Sequence, residues 1–224
     1  MLDRIGPWLA ILLAISANSP FWQGRDSGYA SFRYQAWRRW PASGPTEMFG
    51  SADAYRQTVD QMLRTQTLLD TGMLYFDARL SESYPTVEVR IADVCLFAQD
   101  TVLIAALARA LVETEARRWR EGIPARRRRA ELLRLTAWRA SRSGISDVLI
   151  SPVTGLPGQA AAIASLLLDH VRDALDEAGD TDTVRELLTA VLARGNGATF
   201  ERNAHRGPSG LSQVVSSAVE ATAR

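Results

Sequence analysis

The sequence predicts an α+β fold, with mostly helices packed on a small antiparallel sheet. Apolar and polar residues alternate in two short stretches, residues 74–79 and 86–91, as in strands whose side chains point to opposite faces in turn. Elsewhere, and most clearly after residue 100, apolar residues recur at helical spacing. A chain of 224 residues can bury a core, and we expect residues 1–224 to form a single domain.

The composition excludes several classes of function. All 26 basic residues are arginines, which excludes Schiff-base lysine chemistry and a Walker A phosphate loop. The net charge is +1, so no overall field draws the protein to nucleic acid or to a membrane. Cys95 is the only cysteine, so an intramolecular disulfide is impossible, and we expect an inert core thiol and a cytoplasmic location.

The first predicted element is a buried helix over the apolar residues 5–17. A signal peptide is the alternative interpretation of this run. Asp3 and Arg4 precede the run, however, and it is shorter than the roughly 20 residues that a membrane span needs. We therefore expect a core helix and no membrane partner.

Residues 18–40 are rich in glycine and aromatic side chains and are too irregular for one regular helix. Asn18, Ser31 and Arg33 supply donors and acceptors that suit a small charged substrate, because an arginine fork matches a carboxylate or a phosphate. We interpret the segment as a loop of the functional site. An aromatic-packed surface loop, with arginines stacked on tryptophans, is the alternative.

The two alternating stretches are predicted to form an antiparallel hairpin, because the linker between them is short and rich in turn-forming residues. Asp77 and Arg79 share the polar side of the first strand, and Glu88 and Arg90 share that of the second. If Asp77 lies opposite Arg90 and Arg79 opposite Glu88, the face holds two structural ion pairs. If the pairing shifts by two residues, Asp77 faces Glu88 and the two acids need a cation between them. Both registers fit the pattern.

Helices are predicted on both sides of this hairpin. Ser51 is placed to cap the first of them, and Thr183 and Glu186 have the spacing of a capping box at the start of another. One short strand is expected at Val148–Ile150. The predicted helices cover residues 51–69, 100–122, 124–144, 159–178, 183–195 and 209–222.

The arginine run at residues 126–129 resembles a nucleic-acid patch at first sight. We interpret it as the solvated face of a helix whose buried side carries Leu132, Leu133 and Leu135, and we expect no nucleic-acid partner. His170 lies near the apolar side of its own helix. A hydrogen-bonded core histidine is the role that this position predicts.

Three motifs carry a resemblance to a known family: NSPFWQG at residues 18–24, YFDARLS at residues 75–81 and PTVEVR at residues 85–90. From about Trp8 to about Arg202, the chain resembles the carboxylate–amine ligases, also called glutamate–cysteine ligase type 2. The resemblance implies a glutamine-synthetase-like catalytic fold, of which this chain would be the C-terminal portion. It also implies an ATP-dependent ligase that phosphorylates a carboxylate, typically of glutamate, to an acyl phosphate. An amine, typically of cysteine, then displaces the phosphate.

The resemblance also implies roles for individual residues. Glu88 matches a position that binds a divalent metal, here Mg²⁺, and Arg90 matches one that contacts phosphate. Residues 195–202 resemble the family motif Gly-x-Gly-Ala-x-x-Gln-Arg, but Glu201 stands in place of the glutamine. The expected catalytic residues are Arg90, Arg79 and Asp77, and the expected substrate-binding residues are Asn18, Ser31, Arg33 and Arg202.

The resemblance begins after the family's first strand, which is rich in glutamate and supplies most of the metal ligands. We therefore expect small-molecule substrates as partners, together with a missing N-terminal segment or a second copy of the chain in a homo-oligomer. We also expect that this polypeptide alone does not join glutamate to cysteine. The alternative to a ligase is a non-catalytic remnant, or a subunit that pairs with a separate N-terminal chain.

Overall fold

The centre of the protein is built from residues 1–17. The computed structural model describes residues 1–208 and 210–223. Helix α1 (Leu2–Ile5), one turn of 3-10 helix and helix α2 (Leu9–Ser16) follow one another, and every residue of α2 is buried. A helix that is apolar on all sides is stable only inside a core, and the predicted core helix is confirmed.

The segment 18–40 is more regular than its composition predicts. Strands β1 (Phe21–Trp22) and β2 (Arg25–Asp26) form a small antiparallel hairpin. Helix α3 (Phe32–Trp37) follows. Ser31 caps this helix, because its hydroxyl oxygen accepts a hydrogen bond from a backbone N–H of the first turn. The cap explains why the helix begins where it does.

Helix α4 (Ala52–Arg64) begins at the predicted place. The hydroxyl oxygen of Ser51 accepts a hydrogen bond of 3.0 Å from a backbone N–H of the first turn. The helix ends at Arg64 and not near Leu69. Gln66 takes a left-handed conformation, with φ at 57°, which a right-handed helix cannot accommodate.

The predicted hairpin is present, but its first strand is broken in two. Strand β3 (Ser43–Gly44) pairs in parallel with β4 (Tyr75–Phe76), and β5 (Ala78–Leu80) pairs antiparallel with β6 (Val87–Val89). The expected single small sheet is wrong in this respect. Within residues 1–208 and 210–223, the strands form four two-stranded sheets, of which only the β3–β4 pair is parallel.

The remaining elements are one more hairpin and a series of helices. The predicted strand at Val148–Ile150 is present as β7 and pairs antiparallel with β8 (Pro157–Gln159). The mostly helical α+β class is therefore confirmed. The helices are α5 (Ala98–Arg120), α6 (Ala130–Ser143), α7 (Ala160–His170), α8 (Arg172–Ala178), α9 (Thr181–Arg194), α10 (Gly197–His205) and α11 (Leu211–Thr222).

The prediction that a helix starts at Pro124 is wrong, because residues 123–129 form neither a helix nor a strand. The side chains of Arg126 and Arg128 donate hydrogen bonds to the carbonyl oxygen of Val153. The arginine run is therefore not a helix face. Part of it lies along the loop between β7 and β8.

The buried side of α6 also differs from the prediction. Small residues form this side, namely Ala137, Ala140 and Ser141, and they let α6 approach α2 closely. Leu132 and Leu135, which were expected to be buried, are 52% and 63% exposed. Leucine spacing alone did not identify the buried side, because the small residues of the same helix form the contact.

Two further helix boundaries differ from the prediction. The helix expected over residues 159–178 is divided at Val171, whose φ of −102° and ψ of 7° leave the helical range. Gly179 ends the second part in the left-handed conformation, as expected. Helix α9 starts before Thr183, and no side chain caps it. Ser209, the predicted start of the last helix, lies outside the described residues.

One apolar cluster joins elements from α1 to α9. Helix α2 contacts α5 and α6, and α5 contacts α8 and α9. The apolar side chains of the β5–β6 hairpin, Leu80, Val87 and Val89, pack partly buried against the same cluster. The hairpin's other side therefore faces outward. Among the residues that the structure describes, no helix combines the length and the apolar character needed to cross a bilayer.

Candidate functional site

Strands β5 and β6 form a charged face. Arg79 lies directly opposite Glu88, so this pair follows the first of the two predicted registers. The Nε of Arg79 donates a hydrogen bond of 2.8 Å to the Oε2 of Glu88, and a terminal nitrogen of Arg90 lies 3.6 Å from the same oxygen. The hydrogen bond from Arg79 is the main reason that the pKa of Glu88 lies below its usual value. Two arginines therefore share one carboxylate.

A third arginine lies at the end of β6. Arg33 on α3 donates a hydrogen bond of 3.2 Å to the backbone carbonyl oxygen of Arg90. The guanidinium of Arg33 stands 5.7 Å from the ring centre of Trp37, and that of Arg90 stands 5.8 Å from the ring centre of Tyr75. We call Arg33, Arg79 and Arg90 the arginine face. Guanidinium groups held on aromatic rings are suited to bind a phosphate or carboxylate.

Asp93, just beyond β6, is the residue that joins the arginine face to segment 18–40. It is 6% exposed, and its backbone N–H donates to the hydroxyl of Ser16 over 3.1 Å. Its carboxylate accepts four hydrogen bonds, from the backbone N–H of Asn18 at 2.9 Å, Ser19 at 2.8 Å, Ser31 at 2.8 Å and Arg33 at 3.3 Å. Sequence reasoning missed Asp93. The feature of the sequence that could have identified Asp93 is its position as an acid just after a strand motif that ends in a buried isoleucine.

Asn18 and Ser31 lie beside Arg33, as expected for one site, but their hydrogen-bond donors are used within the protein, and the buried side-chain oxygen of Asn18 has no partner among the described residues. Ser31 is fully buried and bonds both Asp93 and the first turn of α3. The amide nitrogen of Asn18 donates to the carbonyl of Val94 over 2.9 Å. The side chain of Arg33, by contrast, is 35% exposed. Asn18 and Ser31 therefore position the loop that holds Arg33.

Asp77 does not share the polar side with Arg79, and that expectation is wrong. Asp77 is 7% exposed and accepts a hydrogen bond of 3.1 Å from the hydroxyl of Tyr34. The chain passes from β4 to β5 at this residue, so the side-chain alternation does not continue through it. Burial raises the pKa of Asp77 to about 7. Its backbone carbonyl accepts from the N–H of Arg90 at 2.9 Å, which ties it to the arginine face through the backbone.

Arg202 and Glu201 lie on α10. Arg202 makes two hydrogen bonds of 2.8 Å to the carboxylate of Asp26 and one of 3.0 Å to the carbonyl of Tyr29, so it holds the β1–β2 hairpin. These bonds do not reach the arginine face. Glu201 lies near Asp93, and burial, followed by the charge of Asp93, raises the pKa of Glu201 to about 7.

Cys95 is half-buried and not part of the core. Burial raises the pKa of its thiol to about 11. The thiol is therefore protonated at neutral pH and is a weak nucleophile, as the sequence predicts. His170 fulfils its prediction too, since its Nε2 lies 2.8 Å from a carboxylate oxygen of Glu115.

A magnesium site was tested against the side chains that are present. Within residues 1–208 and 210–223, no group of three or more His, Cys, Asp or Glu side chains is placed to hold a metal ion. Glu88 is a single carboxylate whose Oε2 is shared by Arg79 and Arg90. Mg²⁺ takes near-octahedral oxygen coordination. These side chains do not form a magnesium site by themselves, whereas the arginine face does fit the oxygens of a phosphate.

Comparison with known proteins assigns the chain to a family. A sequence profile of glutamate–cysteine ligase family 2 matches residues 1–204. The protein of Streptomyces coelicolor called "Putative glutamate--cysteine ligase 2" is 51% identical over 222 residues, which cover 99% of this chain and 61% of that protein. A "Putative glutamate--cysteine ligase 2-1" of Paenarthrobacter aurescens is also 51% identical over 222 residues, which cover 99% of this chain and 58% of that protein.

The chain spans about three-fifths of the length of these relatives. A third relative, from Streptomyces avermitilis, is 50% identical over 222 residues and shows the same proportion, 61% of its length. The similarity thus includes the arginine face, Asp93 and α10. The chain belongs to glutamate–cysteine ligase family 2.

Proposed function

We propose that this chain carries the phosphate-binding part of an ATP-dependent carboxylate–amine ligase of the glutamate–cysteine type. The observation that carries the proposal is the arginine face, in which Arg79 and Arg90 share the carboxylate of Glu88 and Arg33 bonds the backbone of Arg90. The names of the relatives support the ligase class. Their greater length supports the view that further parts of the site lie outside the aligned region.

In this proposal, ATP supplies the phosphoryl group that turns a substrate carboxylate into an acyl phosphate, which an amine then attacks. Arg79 and Arg90 bind and orient phosphate oxygens and offset negative charge that develops during transfer. Preorganised donors are effective because they need no rearrangement at the moment of reaction. The aromatic ring under Arg90 and the backbone bond between Asp77 and Arg90 provide that preorganisation.

The substrate-binding residues divide into direct and indirect roles. Arg33 is proposed to bind a substrate carboxylate, since its side chain is partly exposed and its fork is held by Asp93 and Arg90. Asn18 and Ser31 act by positioning the loop that carries Arg33. Arg202 is proposed to act in the same indirect way, through the β1–β2 hairpin.

Glu88 is proposed to contribute one ligand to Mg²⁺. The other ligands would come from a segment that is not part of this chain. The ion pairs that Glu88 now makes are partly exposed, and such pairs stabilise a protein by only ~0–1 kcal/mol. Breaking these ion pairs when Glu88 binds a metal would therefore lower the stability of the fold only slightly. A glutamine-synthetase-like catalytic fold, a cytoplasmic location and a homo-oligomeric assembly complete the proposal.

The test compares two forms of the protein. The first is the chain itself. The second, called the extended form, is the chain joined to the part of the Streptomyces coelicolor relative that does not align with it. Phosphate release that depends on ATP, glutamate and cysteine should appear in the extended form and be absent from the chain alone. Absence from both forms, with both folded, would contradict the ligase proposal, and full activity of the chain alone would contradict the incomplete site.

A further inference from the structure

A cleft of about 290 Å³ opens between α5, α7 and the irregular segment 123–129. None of its lining residues belongs to the arginine face or to the residues that bond Asp93. Its size is at the lower limit of known ligand pockets, roughly 300 Å³, so it suits a molecule smaller than a nucleotide. Its lining includes Arg118, Arg126, Glu115 and His170.

Two arginines and two acids line the cleft, and each acid also pairs with an arginine outside the lining, Glu115 with Arg4 and Asp169 with Arg172. Glu115 is 5% exposed, and its two oxygens lie 2.8 Å from His170, 3.3 Å from Arg4 and 3.8 Å from Arg118. Burial alone would raise the pKa of Glu115, but the bonds from His170 and Arg4 outweigh burial and hold it below its usual value. Glu115 is therefore ionised, and its single charge is more than offset by two arginines.

The negative charge of Asp169, the second acid of the cleft, is also offset by an arginine. Asp169 makes an ion pair with Arg172, its neighbour one helical turn away. Arg126 makes no ion pair with any described residue, and its one hydrogen bond goes to the carbonyl of Val153 at 3.3 Å. Its charge is left uncompensated at the mouth of the cleft.

Arg118 faces the carboxylate of Glu115, and its Nε atom lies 3.8 Å from the Oε1 of that residue. Its Nε atom is buried and has no hydrogen-bond partner among residues 1–208 and 210–223. The Arg118 side chain as a whole is 33% exposed, so a ligand in the cleft can reach it. The apolar side chains of Val153 and Leu166 also line the cleft and are 36% and 37% exposed.

We propose that this cleft binds a small molecule that bears an oxyanion, phosphate or carboxylate, on an apolar body. Arg118 and Arg126 bind the oxyanion, and Val153 and Leu166 pack against the apolar body. His170, which is hydrogen-bonded to Glu115 and stacked on Trp8 at 4.1 Å between ring centres, senses occupancy without bonding the ligand itself.

The test uses the fact that the chain has only two histidines, His170 and His205. The imidazole resonances of the full chain are followed by NMR at constant pH while phenyl phosphate, benzoate, inorganic phosphate or phenol is added. The His170 signal should move with phenyl phosphate and benzoate, move only at higher concentration with inorganic phosphate, and not move with phenol. The His205 signal, on α10, should not change.

Two charge-reversal variants of neighbouring exposed arginines make a matched pair. Arg126→Glu should weaken phenyl phosphate binding by about tenfold or more, because it removes a charge-assisted hydrogen bond. Arg127→Glu changes the chain's net charge equally but lies outside the cleft lining, and should leave the affinity within about twofold. Equal weakening by both variants, a His170 signal that no oxyanion moves, or equal response to phenol would overturn the proposal. An unchanged His205 signal in each variant shows that the fold is intact.

Discussion

Arg79 and Glu88 face each other across β5 and β6, and the Arg79 Nε donates to the Glu88 carboxylate over 2.8 Å. This pair can be read as a structural ion pair or as the resting contact of a metal ligand. The two readings predict different effects of the same substitution. Stability and turnover therefore have to be measured on the same variants.

Glu88→Gln is expected to reduce turnover of the extended form strongly while the free energy of unfolding falls by only ~0–1 kcal/mol, the range for a partly exposed ion pair. ADP release and a thermal melt are measured together. Glu186→Gln, an exposed acid on α9, is the control and should change neither. A lowered melting temperature with unchanged turnover would support the structural reading.

Asp77→Asn is expected to change how stability depends on pH. The pKa of Asp77 is raised from 3.8 to about 7 in the folded protein, so the folded state holds the proton more tightly than the unfolded state does. The stability of the natural protein should therefore fall as pH rises from about 4 to about 7, relative to the variant. The difference should be on the order of 2–4 kcal/mol at pH 8.

Asparagine keeps an oxygen acceptor for the hydroxyl of Tyr34 and stays neutral, so the variant should lack this fall. Arg33 and Arg38 oppose the shift by their charge, and both are retained. Urea denaturation at pH 5 and pH 8 measures the difference. Parallel stability curves for the two proteins across this range would contradict a buried, protonated Asp77.

Asp93→Ala is expected to destabilise the protein by about 3–5 kcal/mol, because four hydrogen-bond donors, one of them charged, lose a buried carboxylate. Chemical denaturation measures the loss. Asp60→Ala, an exposed acid on α4 with an alanine of high helix propensity in its place, should change stability by less than about 0.5 kcal/mol. Similar losses in the two variants would show that Asp93 is not the anchor of segment 18–40.

Much of the fold follows from local patterns in the sequence. The all-apolar α2, the Ser51 cap and the Gly179 end of α8 depend on neighbouring residues, and each was predicted correctly. The Arg79–Glu88 pairing was one of two registers that the pattern allowed. Local patterns predicted these elements correctly but not every one of their kind, since the capping box at Thr183 is absent and the alternation breaks at Asp77.

The rest depends on contacts between distant parts of the chain. Asp93 acquires its role from four donors on residues 18–33, and no spacing within the strand motif indicates them. Asp77 turns inward because β4 pairs with β3, which lies about 30 residues earlier in the chain. Two arginines of the run at residues 126–129 donate hydrogen bonds to the backbone carbonyl of Val153, which is distant in the sequence. Sequence periodicity carries no information about such partners.

Glu201→Gln restores the residue that the related family motif carries at this position, and it should stabilise the protein at high pH. The pKa of Glu201 is raised from 4.5 to about 7 by burial and by Asp93, so ionisation is unfavourable in the folded state. At pH 5 the variant and the natural protein should have the same free energy of unfolding. At pH 8 the variant should be more stable by on the order of 1 kcal/mol, a value reduced for solvent screening because Glu201 is only partly buried. If the variant and the natural protein were equally stable at pH 5 and at pH 8, this would contradict the raised pKa of Glu201.

The arginine face is the centre of the account, and Arg90→Gln in the extended form tests it most directly. Removing one preorganised donor from developing charge typically lowers kcat by about 10²–10³, and the same loss is expected here with an unchanged melting temperature. Arg127→Gln, an exposed arginine outside the site, is the matched control. ATP-dependent phosphate release is measured for both variants. A hundredfold or greater loss in Arg90→Gln alone is the predicted result, and a rate equal to that of Arg127→Gln would contradict the assignment of phosphate binding to this face.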